Sequence, residues 1–211
     1  VRFPLLDREG ESLLVWTTTP WTLTSNVAAA VHPEFAYVKV RTADEVLYLS
    51  KSRLTVLRGD HEVLEEMQGR ELVGFRYRGP FDELPAQQGV EHRVVEWDEV
   101  NEVEGTGIVH TAPGAGKEDF GLGKSLGLPT IAPLDQFGVF TEGFGDLSGM
   151  SVFDVNEPIY ESLRRKENLY HLEDYSHRYP VCWRCSTELV FRLVDEWFIS
   201  MDELREPISD I

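Results

Sequence analysis

The sequence predicts a mainly β protein with peripheral α-helices, organised as a β-barrel-like body followed by a C-terminal β-ribbon. Three observations carry this reading. Turn residues recur densely, and the periodic segments between them are short. Those segments are rich in Val, Tyr, Phe, Trp and Thr, which suit a pleated, half-buried surface. Only two stretches carry a helical period, which leaves helices for the outside of a barrel or strongly curved sheet.

In chain order, strands are expected over Leu13–Thr17, Ala36–Val40, Val46–Leu49, Leu72–Tyr77, Val90–Trp97 and Gly107–Thr111. A helix is expected over Lys117–Leu126, ended by Gly127 and Pro129. A second helix runs over Asp154–Glu167, with Asp154 as N-cap, a stripe at Val155, Ile159 and Leu163, and Pro158 in the tolerant first turn. From Leu169 onward, strand-like residues alternate around a C-x-x-C and read as a ribbon leaving the body. Two parts follow, 1–168 and 169–211. The chain opens inside a strand-like run and closes at REPISDI without a finishing element, the pattern expected of an excised segment.

A chain of 211 residues can bury one sizeable core, and 42% hydrophobic with 11% aromatic residues argues for a folded protein. No run approaches the roughly 18 apolar residues of a membrane span, and the opening VRFPLLDREG lacks the apolar centre of a signal peptide. The expectation is a soluble, cytoplasmic, monomeric protein with no membrane partner. The net charge of −17, from 37 acidic and 20 basic residues, opposes generic adhesion to nucleic acid. Any contact with a polynucleotide must be local, made by a small site.

Two cysteines, Cys182 and Cys185, are too few for a disulfide framework. CWRC presents two thiols in the knuckle arrangement of one half of a structural zinc site, which needs four ligands. His171 and His177 are nearby candidates for the rest, neither at a convincing spacing. A redox dithiol is the rival reading, and a structurally silent pair the third. GLGKS at 121–125 falls short of a phosphate loop, because Glu118 stands where that motif needs glycine.

Two peptides carry more chemistry. In GTGIVHTAPGAGKEDFGLG, 105–123, a strand bearing His110 enters a Gly-rich loop that lets backbone approach a ligand, and a helix then opens with Asp119 in its first turn. His110 and Asp119 are expected to face one cavity across that loop, although a helix-capping Asp and a structural His would read alike. In VWTTTPWT, 15–22, four hydroxyls and two indoles surround Pro20. The bland reading is threonine used for its β propensity.

Together, TTTPWTLTSN (17–26), AAAVHPEF and GTGIVHTAPGAGKEDF closely resemble the two signature peptides of the editing domain inserted into isoleucyl-tRNA synthetases. CWRCSTELVFR and DEWFISM resemble the segment that returns to the synthetic domain, so the likeness spans essentially the whole chain. Valyl and leucyl relatives usually carry TTRP at the threonine-rich peptide, where this chain has Thr19-Pro20-Trp21-Thr22. Thr24 stands where proline is common in the family, and Ala115 where a bulkier or polar residue is frequent. LSKS at 49–52 shares only the tail of the KMSKS peptide, and no HIGH-type motif is present. ATP would be used only by the absent synthetic domain.

The resemblance implies hydrolysis of valyl-tRNA(Ile), with valyl-adenylate as a second candidate substrate and the tRNA acceptor end as partner. It implies that Asp119 pairs with the α-ammonium of valine and that His110 bounds the pocket and orients the ester or a ribose hydroxyl. Thr17, Thr18, Thr19 and Thr22 would grip the terminal adenosine and the ester, with Thr19 and Thr22 positioning water. Trp21 would wall the pocket, Asn26 tie the loop and Tyr179 complete the lining. With no covalent nucleophile evident, bound water is expected to attack directly, with no cofactor or metal in the reaction. A non-catalytic tRNA-binding or spacer module, and a nucleotide-binding enzyme using the Gly-rich turn, are the alternatives.

Overall fold

The computed structural model describes residues 1–176, 178–197 and 199–209. Its framework is two sheets. The larger joins β1 (Arg2–Pro4), β2 (Glu11–Leu14), β4 (Ala36–Arg41), β5 (Val46–Ser50) and β6 (Glu62–Gln68) in the order β1-β2-β5-β4-β6. The smaller places β3 (Ala28–Val31) between β7 (Arg93–Glu96), parallel to it, and β8 (Val109–Thr111), antiparallel to it. Among the described residues neither sheet closes on itself. Single bridges link them instead: Trp16 pairs with Val109 on one side, and Leu5–Tyr77 with Arg76–Arg93 make the connection on the other.

Period-2 alternation explains how the larger sheet buries both faces. Leu13, Tyr37 and Tyr48 face the main core, which also holds β3 and much of the chain beyond it. Leu14, Val38, Val40, Leu47 and Leu49 face a smaller cluster, covered by Leu54, Val56, Leu57 and Tyr170. The turn Lys51–Val56 supplies two of those covers.

Several sequence expectations shift. The strand expected over Leu13–Thr17 ends at Leu14, so Thr17 lies beyond it. Leu72–Tyr77 is not a strand: Leu72 closes the short helix α1 (Gly69–Leu72), and Gly74 at φ 87° turns the chain before Arg76 and Tyr77 make their single bridges. Val90–Trp97 contracts to β7 and Gly107–Thr111 to β8. Two strands gave no β signal. In β3 the sequence is AAAV, and alanine is a poor strand former that here is buried on both faces. In β6 the polar EVLEEMQ buries only Met67, as suits a charged edge strand.

Helix α2 spans Lys117–Leu126 as expected and ends at Gly127 in the left-handed region, φ 64°. Helix α3 spans Asn156–Arg165 and buries Ile159 and Leu163. Its N-cap is Val155, not Asp154, and Val155 is itself in the core. Helix α4 covers Arg205–Ser209. Among the described residues the expected C-terminal ribbon reduces to one hairpin bridge, Val181–Glu188, around the two cysteines. Among the described residues no helix is long and apolar enough to cross a membrane.

Candidate active site

The Trp16–Val109 bridge sets the site, because it runs the threonine-rich peptide beside the strand that carries His110. Trp16 N–H donates to the Ile108 carbonyl at 3.1 Å. The peptide then leaves as a short link, and Thr19 caps a 3-10 turn over Pro20–Ser25 with proline at its first position. Pro20 therefore starts a tight helical turn where the sequence suggested a strand end. Within this turn Thr22 N–H donates to the Thr19 carbonyl at 3.1 Å, Thr19 N–H to Thr17 Oγ1 at 3.0 Å and Thr24 Oγ1 to the Trp21 carbonyl at 2.8 Å. The hydroxyls thus knit the backbone before any ligand is considered.

From the other side, β8 leads into the loop 112–116. Gly114 packs so closely on the Ile131 backbone that a Cβ would collide with its carbonyl. Gly116 caps α2, which places Asp119 at the third helical position, and Ala112 N–H donates to Asp119 Oδ2 at 3.0 Å. Burial pushes the Asp119 carboxyl above its ordinary value, with Glu118 adding to the effect and the Ala112 bond opposing it. A cationic partner would reverse that shift.

Thr17, Thr18, Thr19, Trp21, Thr22, His110 and Asp119 line one cleft of about 320 Å³, with Tyr179 and Phe191 on its C-terminal side. At its floor Thr22 Oγ1 and His110 Nε2 are 2.6 Å apart, a short hydrogen bond whose direction depends on the imidazole tautomer. Burial pushes the His110 imidazole down to about 3, so it is neutral near pH 7. Asn26 lies behind the cleft: its Nδ2 is 3.1 Å from His110 Nδ1.

Eight of the expected residues therefore converge, and Asn26 joins them through His110. Cys182 and Cys185 do not line the cleft. Cys182 N–H donates to the Thr187 carbonyl at 2.8 Å, and a hydrogen bond to Thr187 holds the Cys185 thiol below its ordinary value. Among the described residues no third His, Cys, Asp or Glu joins them as a metal ligand. His171 is engaged elsewhere, 2.9 Å from Arg58, and His177 lies outside the described residues.

Trp16, Val109 and Phe191, none of them expected from the sequence as lining, complete the cleft, and Tyr77 supports it from behind through Asn26. Trp16 adjoins the threonines and was within reach. Phe191 carries no local signal, since it arrives from a distant loop. A second cleft, of about 210 Å³, opens on the far side of Thr17 and Thr18, with Trp16, Arg53, Gly105, Tyr170 and Tyr175 among its walls.

With this geometry in view, the relatives are informative. The chain is 43% identical over 209 residues to the isoleucine–tRNA ligase of Methanothermobacter marburgensis, a match covering 98% of this chain and 20% of that protein. It is 43% identical over 223 residues to that of Pyrococcus abyssi, covering 99% and 21%. The chain belongs to the isoleucine–tRNA ligase family. It spans about a fifth of the length of these ligases. No protein-family model matches it. Among solved structures it resembles GlLeuRS-CP1, with TM-score 0.65 and 16% identity over 80% of this chain and 85% of that one. It also resembles the editing domain of the cytosolic leucyl-tRNA synthetase of P. knowlesi, with TM-score 0.53 and 11% identity over 75% and 82%. The ligase-family chain thus has the fold of an editing domain.

Proposed function

We propose that this chain is a proofreading hydrolase that cleaves the ester between valine and tRNA(Ile), with valyl-adenylate as a second substrate. One observation carries the reading: a half-buried carboxylate, a hydroxyl–imidazole pair and a strip of threonines meet in a single small cleft. The need for such a sieve is physical. A synthetic pocket shaped for isoleucine loses only about 1–3 kcal/mol of discrimination against a side chain one methylene smaller.

In this reading Asp119 accepts the α-ammonium, a charge-assisted bond that also offsets the burial of its carboxylate. Trp21 and Ala115, both largely buried, bound the side-chain space, and His110 closes its floor. Thr17 and Thr18 form the ridge between the two clefts, so the adenosine extends past them toward Trp16 and Arg53 while the amino acid stays beside Asp119. Water held by Thr19 and Thr22 attacks the ester carbon, and positioning with electrostatic stabilisation supplies the acceleration. No step uses ATP or a metal. The two thiols of CWRC would serve a structural zinc only if two donors came from beyond the described residues. The chain acts in the cytoplasm as a monomer, and its tRNA contact is confined to the acceptor end, as its −17 charge favours.

The test is deacylation of valyl-tRNA(Ile) against isoleucyl-tRNA(Ile). Preferential release of valine is expected. Release of neither by folded protein would leave a spacer or tRNA-binding module, and ATP consumption without ester cleavage would indicate a nucleotide-binding enzyme.

A further inference from the structure

The hydrogen bonds behind the cleft have only one consistent direction. Asn26 Nδ2 is 2.8 Å from the Ala28 carbonyl oxygen, an atom that only accepts. That contact settles which end of the side-chain amide is nitrogen. The same Nδ2 is 3.1 Å from His110 Nδ1, and an amide nitrogen only donates, so Nδ1 must carry a lone pair. A neutral imidazole then bears its proton on Nε2. Nε2–H meets Thr22 Oγ1 at 2.6 Å, and the Thr22 hydroxyl passes its own proton to the Thr19 carbonyl at 2.7 Å. At the other end, the buried Tyr77 hydroxyl donates to Asn26 Oδ1 at 2.8 Å.

We propose that Tyr77 and Asn26 are positioning residues that lock His110 as the Nε2–H imidazole, making it a fixed donor that orients Thr22 instead of a base. The proposal deepens the hydrolytic reading and rests on it for its catalytic consequence. Neither Tyr77 nor Asn26 lines the cleft, so both act through His110. Tyr77 is itself held by stacking on Phe3, ring centroids 4.9 Å apart.

The consequence for chemistry is specific. Thr22 Oγ1 cannot surrender its proton to His110, because that nitrogen is already protonated; the short pair is not a nucleophile and its base. With one lone pair occupied by Nε2–H and its proton committed to Thr19, the Thr22 oxygen offers one remaining lone pair. A water that donates there turns its own lone pair outward, toward the ester carbon. Asn26 thus becomes more than a tie for the loop, and Tyr77, which the sequence placed in a strand, becomes part of the machinery.

Nitrogen-detected NMR of the imidazole rings tests this without any substrate, with the His110 signals identified by their loss in His110→Gln. The Nε2–H pattern is expected, unchanged between pH 5 and 8. An Nδ1–H pattern, or averaging between tautomers, would overturn the proposal. Asn26→Asp replaces the donor to Nδ1 with an acceptor, and should move the proton to Nδ1 or produce an imidazolium. On valyl-tRNA(Ile), its kcat should fall on the order of 10²-fold with KM nearly unchanged. An unaltered tautomer in that variant, or equal losses in kcat/KM through KM alone, would count against the mechanism. Should Asn26→Asp fail to fold, Tyr77→Phe serves: with the amide then held by Ala28 alone, an Nδ1–H population should appear beside the Nε2–H pattern while kcat falls several-fold. A Tyr77→Phe protein with wild-type kcat removes Tyr77 from the relay. Wild-type protein with the Nε2–H pattern but no esterase activity would retain the tautomer lock and reject the hydrolytic reading, so the two failures are distinguishable.

Discussion

The two walls of the cleft are built in opposite ways. On the body side, Thr22 and His110 are each 6% exposed, and they sit in a continuous set of hydrogen bonds running from Tyr77 to the Thr19 carbonyl. On the other side, Tyr179 and Phe191 come from a segment whose described structure is one bridge around two cysteines, with Trp183 and Trp197 lying open to solvent. The difference separates tasks. Groups that must meet a reacting bond within tenths of an ångström belong on over-determined backbone, whereas groups that only narrow a cleft tolerate looser support.

The largest expected effect is on the rigid wall. Asp119→Ala should reduce deacylation of valyl-tRNA(Ile) by about 10²-fold or more, read as single-turnover valine release, with circular dichroism to establish that the variant folds. Comparable activity would mean that the ammonium is held elsewhere and that the two walls are not so different.

Next come the packing contrasts. Ala29 is fully buried on β3, opposite both Val94 and His110. Ala29→Val should cost about 1–3 kcal/mol by overpacking, measured by urea unfolding. Trp197→Ser, on the open segment, should stay within about 0.5 kcal/mol of the parent. If both substitutions cost alike, the C-terminal segment is packed more firmly than its exposure indicates.

A third prediction concerns pH. His110 is pushed down to about 3 in the folded protein from an ordinary 6.5, so the unfolded chain takes up its proton first. The stability linked to this group is present above pH 6.5 and is lost as pH falls toward 3. Asp119 has the opposite sign: its raised folded value means that acidification through its titration favours the folded state. Urea midpoints at pH 7 and 4.5 should therefore converge more in His110→Asn than in the parent. For the same reason, a pH–rate profile should lack the break near 6.5 that an ordinary histidine base would give.

The smallest effect is on the looser wall. Phe191→Ala should raise KM several-fold and leave kcat nearly intact, since it removes only lining. A matching drop in kcat would show that this side also orients the reacting groups.

Much of the site was legible, because it is encoded in two contiguous peptides whose hydroxyls, glycines and carboxylate have chemical reasons to be adjacent. Helix α2 was legible to the residue, having both a glycine start and a glycine stop. What escaped were features decided at long range. β3 is a strand because β7 and β8 flank it, which AAAV does not announce. Tyr77 matters through Asn26, 51 positions away in sequence, and Phe191 through a fold-back that no local pattern marks. The barrel-like expectation held for the mainly β architecture and missed that, among the described residues, isolated bridges and not ladders join two open sheets.

The ridge of Thr17 and Thr18 has one more implication, for inhibitor design. A molecule filling either hollow alone avoids the other, but one reaching both must pass Trp16, Thr17 and Thr18, which line the two, so its linker meets those three residues. Compounds rigid at that linker would forfeit less freedom on capture than flexible ones of the same composition.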